Sequence, residues 1–127
     1  MEAQKRHLLL IGEHDKGLGM PFHPSTVSGR RLRAMTAALG DRVTVTLENM
    51  ATPEDGVLAP AHLDHLRSIA RRADAVVLLG AFVQRALRPL FPEAVLLPHP
   101  GARRPIDLQT LREGLIKIAH TSPHAPK

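Results

Sequence analysis

The sequence predicts an α/β domain in which a parallel sheet is covered by helices on both faces. Three observations carry that prediction. Apolar runs of strand length alternate with segments of helical periodicity along the chain. Several of the runs, such as HLLLIG at 7–12 and AVVLLG at 75–80, are apolar without interruption, the pattern of strands buried on both faces. Right-handed crossovers between parallel strands then leave few topologies. At 127 residues the chain is one domain of ordinary size.

The elements follow in order. RHLLLIG (6–12) is the first strand. Ser28 is placed to cap a helix running to about Leu39, with Leu32, Met35 and Leu39 on one face and Gly40 as its stop. RVTVTL (42–47) is β-branched and alternating, a second strand. Pro60 opens a helix to about Arg72 that turns Leu63, Leu66, Ile69 and Ala70 inward. DAVVLLG (74–80) is a third strand, followed at once by a short helix carrying Phe82, Val83, Ala86 and Leu87. EAVLLP (93–98) is the fourth, and Asp107 lies near the start of a last helix in which Leu108, Leu111, Leu115 and Ile118 keep helical spacing. The domain core is read as about 6–119, with 120–127 a flexible tail. The loop from Asn49 to Ala59 is long for this architecture, and such loops are often functional.

Composition bounds the function. The chain has no cysteine, which removes disulfides, thiolate metal sites and a cysteine nucleophile. No apolar run approaches the roughly 18 residues that span a bilayer, and the run after the basic start is too short for a secretion signal, so the expectation is a cytoplasmic protein without a membrane partner. A formal net charge of +5 with eight further histidines favours a polyanionic partner, although an arginine-rich surface also serves solubility. Aromatic content is 2%, too low for a binder that stacks many bases but enough for one ring in one pocket.

In open parallel sheets, ligands bind beyond the carboxyl ends of the strands. The residues there are GEHD (12–15), ENMATP (48–53), GAF (80–82) and PHPGARRP (98–105), and the first, second and fourth of these form a polar cluster. No P-loop, dinucleotide fingerprint or serine elbow is present. His14, Asp15 and His23 fit no compact metal-binding spacing, so no metal or other cofactor is expected.

The same segments carry a resemblance. GEHDKGLGMPFHPSTVSGRRL resembles the first motif of the uracil-DNA glycosylase superfamily, closest to the branches reading Gly-Glu-x-Pro-Gly, then Gly-x-Pro-Phe, then Gly-Arg-x-Leu. TLENMATPEDG is similar to that family's asparagine-bearing segment, DAVVLLGAFVQRAL to its strand–Gly–helix scaffold, and LLPHPGARRP to its His-Pro motif and DNA-inserting loop. The matches run in order over residues 6–118. The resemblance implies a three-layer sandwich with a four-stranded parallel sheet in the order 2-1-3-4.

It also implies a chemistry: a nucleotide flipped out of DNA, its base held on an aromatic ring, and the base–sugar bond cut through an oxocarbenium-like state. By resemblance, Phe22 is the stacking ring, Asn49 the amide reading the base edge beside Gly12, and His99 the donor to the base oxygen. Glu13 falls on the carboxylate of the Gly-Glu motif. Ser28, Gly101, Arg103 and Arg104 fall on DNA-contacting positions.

The chain departs from the pattern where Asp15-Lys16-Gly17 replaces Pro-Gly, and where His14 stands at a position that carries Asp or Asn in some branches, leaving Asp15 as the nearest substitute base. The branch with the closest first motif holds an iron–sulfur cluster on four cysteines; here none is expected. Each assignment has a plainer competitor: Phe22 as a core plug, Asn49 as a turn residue, Glu13 as a capping carboxylate, Arg30, Arg31 and Arg33 as a solvated helix face. The expected activity is a small, monomeric, monofunctional glycosylase acting on uracil or a related pyrimidine in DNA. The alternative is a catalytically silent relative that binds a nucleobase, nucleotide or DNA.

Overall fold

The structure, a computed structural model, describes residues 6–13, 21–50 and 60–120. Its elements are β1 (Arg6–Gly12), α1 (Val27–Ala37), a single 3-10 turn (Gly40–Arg42), β2 (Val43–Asn49), α2 (Pro60–Arg72), β3 (Ala75–Leu79), α3 (Ala81–Leu87), β4 (Val95–Leu97) and α4 (Pro105–His120). The four strands form one sheet in the order β2-β1-β3-β4, and every pairing is parallel. This is the strand order expected from the sequence.

Alternation along β1 assigns the layers. Leu8 and Leu10 point to one face and pack with Leu32 and Met35 of α1 and with Leu111, Leu115 and Ile118 of α4. Leu9 and Ile11 point to the other and pack with Leu66 of α2 and Val83 and Leu87 of α3. All four β1 residues are fully buried. Each such side chain contributes about 1.5–3 kcal/mol of transfer free energy, so β1 is the apolar centre of both layers. Among the described residues, no helix is long and apolar enough to cross a membrane.

Five details differ from the sequence reading. Thr26, not Ser28, caps α1: its backbone is extended and its Oγ1 accepts the Gly29 N–H at 2.9 Å. Ser28 therefore lies inside the first turn. β2 runs to Asn49, two residues past the expected end, because Gly12 and Asn49 are still in register and the Met50 N–H donates to the Gly12 carbonyl at 2.7 Å. α1 ends at Ala37, two residues before the expected Leu39, and of the apolar residues carried by α3 only Val83 and Leu87, four residues apart, are buried, while Phe82 and Ala86 are exposed. His120 ends α4 instead of beginning a tail. The loop of 51–59 and the tail of 121–127 lie outside the described residues.

Arg6 opens β1 on the Leu8 face and is buried, with its Nε and Nη1 lacking any hydrogen-bond partner. Desolvating guanidinium donors without pairing them costs stability, whereas the aliphatic stem packs well. Arg6→Met is expected to raise stability by about 1 kcal/mol, read as a higher denaturant midpoint at unchanged m-value. A lowered midpoint would show that the guanidinium is compensated.

Candidate functional site

The sheet changes direction between β1 and β3: the chain leaves β1 toward β2 on one side and β3 toward β4 on the other. That switch point is where an open parallel sheet offers a crevice. Here both strands end in glycine, Gly12 on β1 and Gly80 just past β3, and each glycine lies under a side chain brought from elsewhere. A Cβ on Gly12 would fall 2.4 Å from Cζ of Phe22, and a Cβ on Gly80 would fall 3.2 Å from Cβ of His99. Phe22 and His99 thus roof the switch point. Their ring centroids are 6.2 Å apart with planes inclined at 40°, within the contact range of aromatic pairs. They form one wall, so a planar ligand would lie against the pair and not between its members.

Phe22 is held in an unusual backbone state, with φ of 49°. A bulky residue in the left-handed region costs about 1–3 kcal/mol and persists only where its surroundings impose it. Three contacts do so. Arg33 of α1 donates from Nε to the Phe22 carbonyl at 2.7 Å and from Nη2 to the Pro21 carbonyl at 3.0 Å. Thr26 Oγ1 donates to the His23 carbonyl at 2.8 Å. Gly29 lets the first turn of α1 press on this segment, since a Cβ there would lie 2.0 Å from the His23 carbonyl oxygen. The motif PFHPSTVSGRRLR is therefore a self-locking turn that aims one ring at Gly12.

His99 is fixed by a tight turn. Its Nδ1 accepts the Gly101 N–H at 2.9 Å, and its carbonyl accepts the Ala102 N–H at 3.0 Å. With Nδ1 an acceptor, the neutral imidazole carries its proton on Nε2, so the ring presents a donor there. Arg31 of α1 reaches across to donate to the carbonyls of Pro100 at 3.2 Å and Ala102 at 3.1 Å. On the other flank, Gln84 of α3 donates to the Leu97 carbonyl at 2.9 Å and the Leu78 carbonyl at 3.2 Å, joining β3 and β4 just before His99.

Asn49 ends β2 opposite Gly12 and is 8% exposed. Its backbone carbonyl accepts from His62 Nε2 of α2. One turn on, His65 Nε2 lies 3.3 Å from Glu48 Oε2. Glu13 is exposed directly after β1. Ser28 Oγ and His99 Nδ1 both border Gly101, at 2.7 and 3.0 Å from where its Cβ would be. The crevice thus unites Gly12, Phe22, Asn49, His99, Gly101 and Ser28 at one edge. Arg103 and Arg104 lie exposed beside it. Arg104 holds Asp107 through two hydrogen bonds of 3.0 and 3.1 Å, and these keep the Asp107 carboxyl below, and the Arg104 guanidinium above, its ordinary pKa. His14 and Asp15 lie outside the described residues.

The plainer reading holds in part for Phe22, which is 9% exposed and belongs to the α1–α4 core layer. It fails for Arg31 and Arg33, which are carbonyl clamps and not a solvated face. Those clamps, and Gln84 and His62, escape sequence reasoning because their partners are backbone carbonyls, which carry no residue-type signal. Among the described residues, no group of three or more His, Asp or Glu is placed to hold a metal ion. A cavity of about 500 Å³ at the opposite edge is lined by Arg67, Arg71, Asp74 and Glu93 among others, and those four charges cancel. Comparison with protein-family models, with curated proteins and with solved structures returned no match to this chain.

Two outcomes test the geometry. Gly12→Ala should destabilise by about 1–3 kcal/mol through overlap with the Phe22 ring. Because that cost arises from the ring, it should shrink in a Phe22→Ala background, giving a clear coupling energy in a double-mutant cycle of denaturant unfolding. Arg33→Met should lose about 1.5–3 kcal/mol, the usual worth of charged hydrogen bonds; an unchanged unfolding midpoint would mean that Phe22 is held without it.

Proposed function

We propose that the crevice handles a nucleobase, and that the protein is a small DNA glycosylase that hydrolyses the N-glycosidic bond of uracil or a related pyrimidine. One observation carries the reading: the Phe22–His99 wall, in which a ring for stacking adjoins an imidazole whose proton is directed to Nε2 by the Gly101 N–H. A base lying against that wall would rest on the exposed part of the phenyl ring, meet the Nε2–H donor at a carbonyl oxygen, and offer its polar edge to the Asn49 amide, which both donates and accepts.

As the bond between C1′ and the base nitrogen breaks, its electron pair leaves with the base. The developing negative charge on the base oxygen is stabilised by His99 Nε2–H. A water oxygen then bonds to C1′ of the sugar cation and gives up a proton, which the departed base anion takes up, with the Glu13 carboxylate available to orient that water and to oppose the positive sugar. The products are an abasic sugar and the free base. The likeness of residues 12–32, 46–56, 74–87 and 96–105 to uracil-DNA glycosylase motifs, met in order, supports the same reading.

The burial of Phe22 favours a second reading, a member that binds DNA without cutting it, since little of the ring is left to hold a flipped base. One assay separates the two. Oligonucleotides carrying uracil, mismatched thymine, hypoxanthine or hydroxymethyluracil are incubated with the protein and abasic sites are opened with alkali. The enzyme reading expects strand breaks, reduced by about 10²–10³-fold in His99→Ala and Asn49→Ala variants whose circular dichroism is unchanged. Binding without breaks on every substrate establishes the second reading and rejects the first.

A further inference from the structure

The chain has three phenylalanines and neither tryptophan nor tyrosine. Phe22 lies in one core layer, and Phe91 packs against the other. The third, Phe82, stands 52% exposed. It occupies the first turn of α3, two residues after Gly80, whose backbone touches His99. Helix geometry accounts for its direction: Val83 and Leu87 take the buried face, and the residue before Val83 is rotated about 100° away from it. Nothing in the packing of α3 needs a ring there. Across the crevice, Val27 opens α1 at 50% exposure, and Ile106 stands in the first turn of α4 at 56%. Helices that follow parallel strands begin at the carboxyl edge, so all three apolar side chains crown the same mouth. Among them on the α1–α4 side stands the exposed Arg103, with Arg30 and Arg104, also exposed, already holding the Ser25 carbonyl and the Asp107 carboxylate.

From this we infer that Phe82 is a second base-stacking residue, outside the pocket, for a single strand of nucleic acid laid across the crevice. The inference rests on the base-handling reading of the pocket and names the form of its substrate. A rim that alternates guanidinium groups with bare apolar surface is complementary to a polymer that alternates phosphates with flat apolar rings. Arginines on the α1–α4 side take the backbone. Phe82, on the α2–α3 side, takes the face of a base adjacent to the one in the crevice. A ring so exposed is reached only by a base released from its own stack, which is why the occupant is an unpaired strand and not intact duplex. An anionic lipid surface shares the charge preference, but it is flat and offers no partner to the Phe22–His99 wall that these side chains flank.

The absence of tryptophan and tyrosine makes the test selective, because Phe82→Trp installs the sole indole at the proposed contact. A fluorescein-labelled single-stranded oligodeoxynucleotide reports binding by anisotropy, and indole emission reports stacking. The expected result is saturable quenching of the indole at the same midpoint as the anisotropy rise. Phe82→Ala should weaken binding about tenfold with unfolding unchanged, and the matching duplex should bind more weakly than the single strand.

Binding without a change in indole emission, or wild-type affinity in Phe82→Ala, overturns the assignment. So does a blue shift of the indole on phosphatidylserine vesicles with no response to the oligonucleotide. Base release with an unmoved indole rejects the Phe82 contact and leaves the pocket chemistry standing. Quenching without base release does the reverse, and absence of both rejects the two together.

Discussion

The Phe22 ring rests on a strand end that has no side chain, and the carboxyl edge of the sheet is organised around that contact. A ring 2.4 Å from where a Cβ would be leaves no room for any residue but glycine at position 12. The ring cannot reach that point from ordinary backbone, so its residue takes a left-handed conformation. Such strain has to be outweighed locally. The compensation comes from α1, through Arg33 on two carbonyls and through the Thr26 cap that ties the helix start to the same turn. Position, strain and restraint are one unit spread over the thirteen residues from Pro21 to Arg33.

That unit changes the meaning of the basic charge. All three arginines in SGRRLR donate to loop carbonyls, Arg33 toward Phe22, Arg31 toward the His99 turn and Arg30, at 3.4 Å, to Ser25. All stand on α1, so one helix braces the two loops that roof the crevice, and the separation of Phe22 from His99 is set by a rigid element. Arg104 is paired with Asp107. A basic composition that suggests a polyanionic partner thus includes several charges with structural work of their own. Net charge alone is therefore a poor guide to a partner for this chain.

The strands were legible because burial on both faces writes an unbroken apolar run, and Leu8–Ile11 and Val77–Leu79 are buried as that pattern requires. The strand order was implied by the resemblance and not by the apolar pattern, and it is the order observed. The convergence of Gly12, Asn49 and His99 was legible because it depends on chain order and on the rule for parallel sheets, whereas Phe22 was placed beside them only by the resemblance. What was not legible depends on single backbone hydrogen bonds. Ser28 and Thr26 are equally good caps by residue type, and the extended backbone of Thr26 decides between them. The extra pairing of β2 at Asn49 turned on the Gly12 carbonyl finding a donor in Met50. Phe82 was grouped with the apolar residues of α3, although a seven-residue helix buries a narrow stripe that two residues fill.

The switch point explains why these residues and not others meet. In the order β2-β1-β3-β4, β1 and β3 are the central strands, and the connections leaving them diverge. Bulky residues at both ends would close the gap from below. Glycine at 12 and at 80, the latter at a φ of 95° that side chains rarely adopt, lowers the floor and admits side chains from above. The sequence before α1 supplies one of them and the turn after β4 supplies the other, so each half of the sheet contributes one ring to the wall. The Gly101 N–H then selects which imidazole nitrogen carries the proton. The paired rings and the imidazole proton on Nε2 are consequences of the topology once two glycines and two locked turns are in place, and they require no residue from the strands' own side chains.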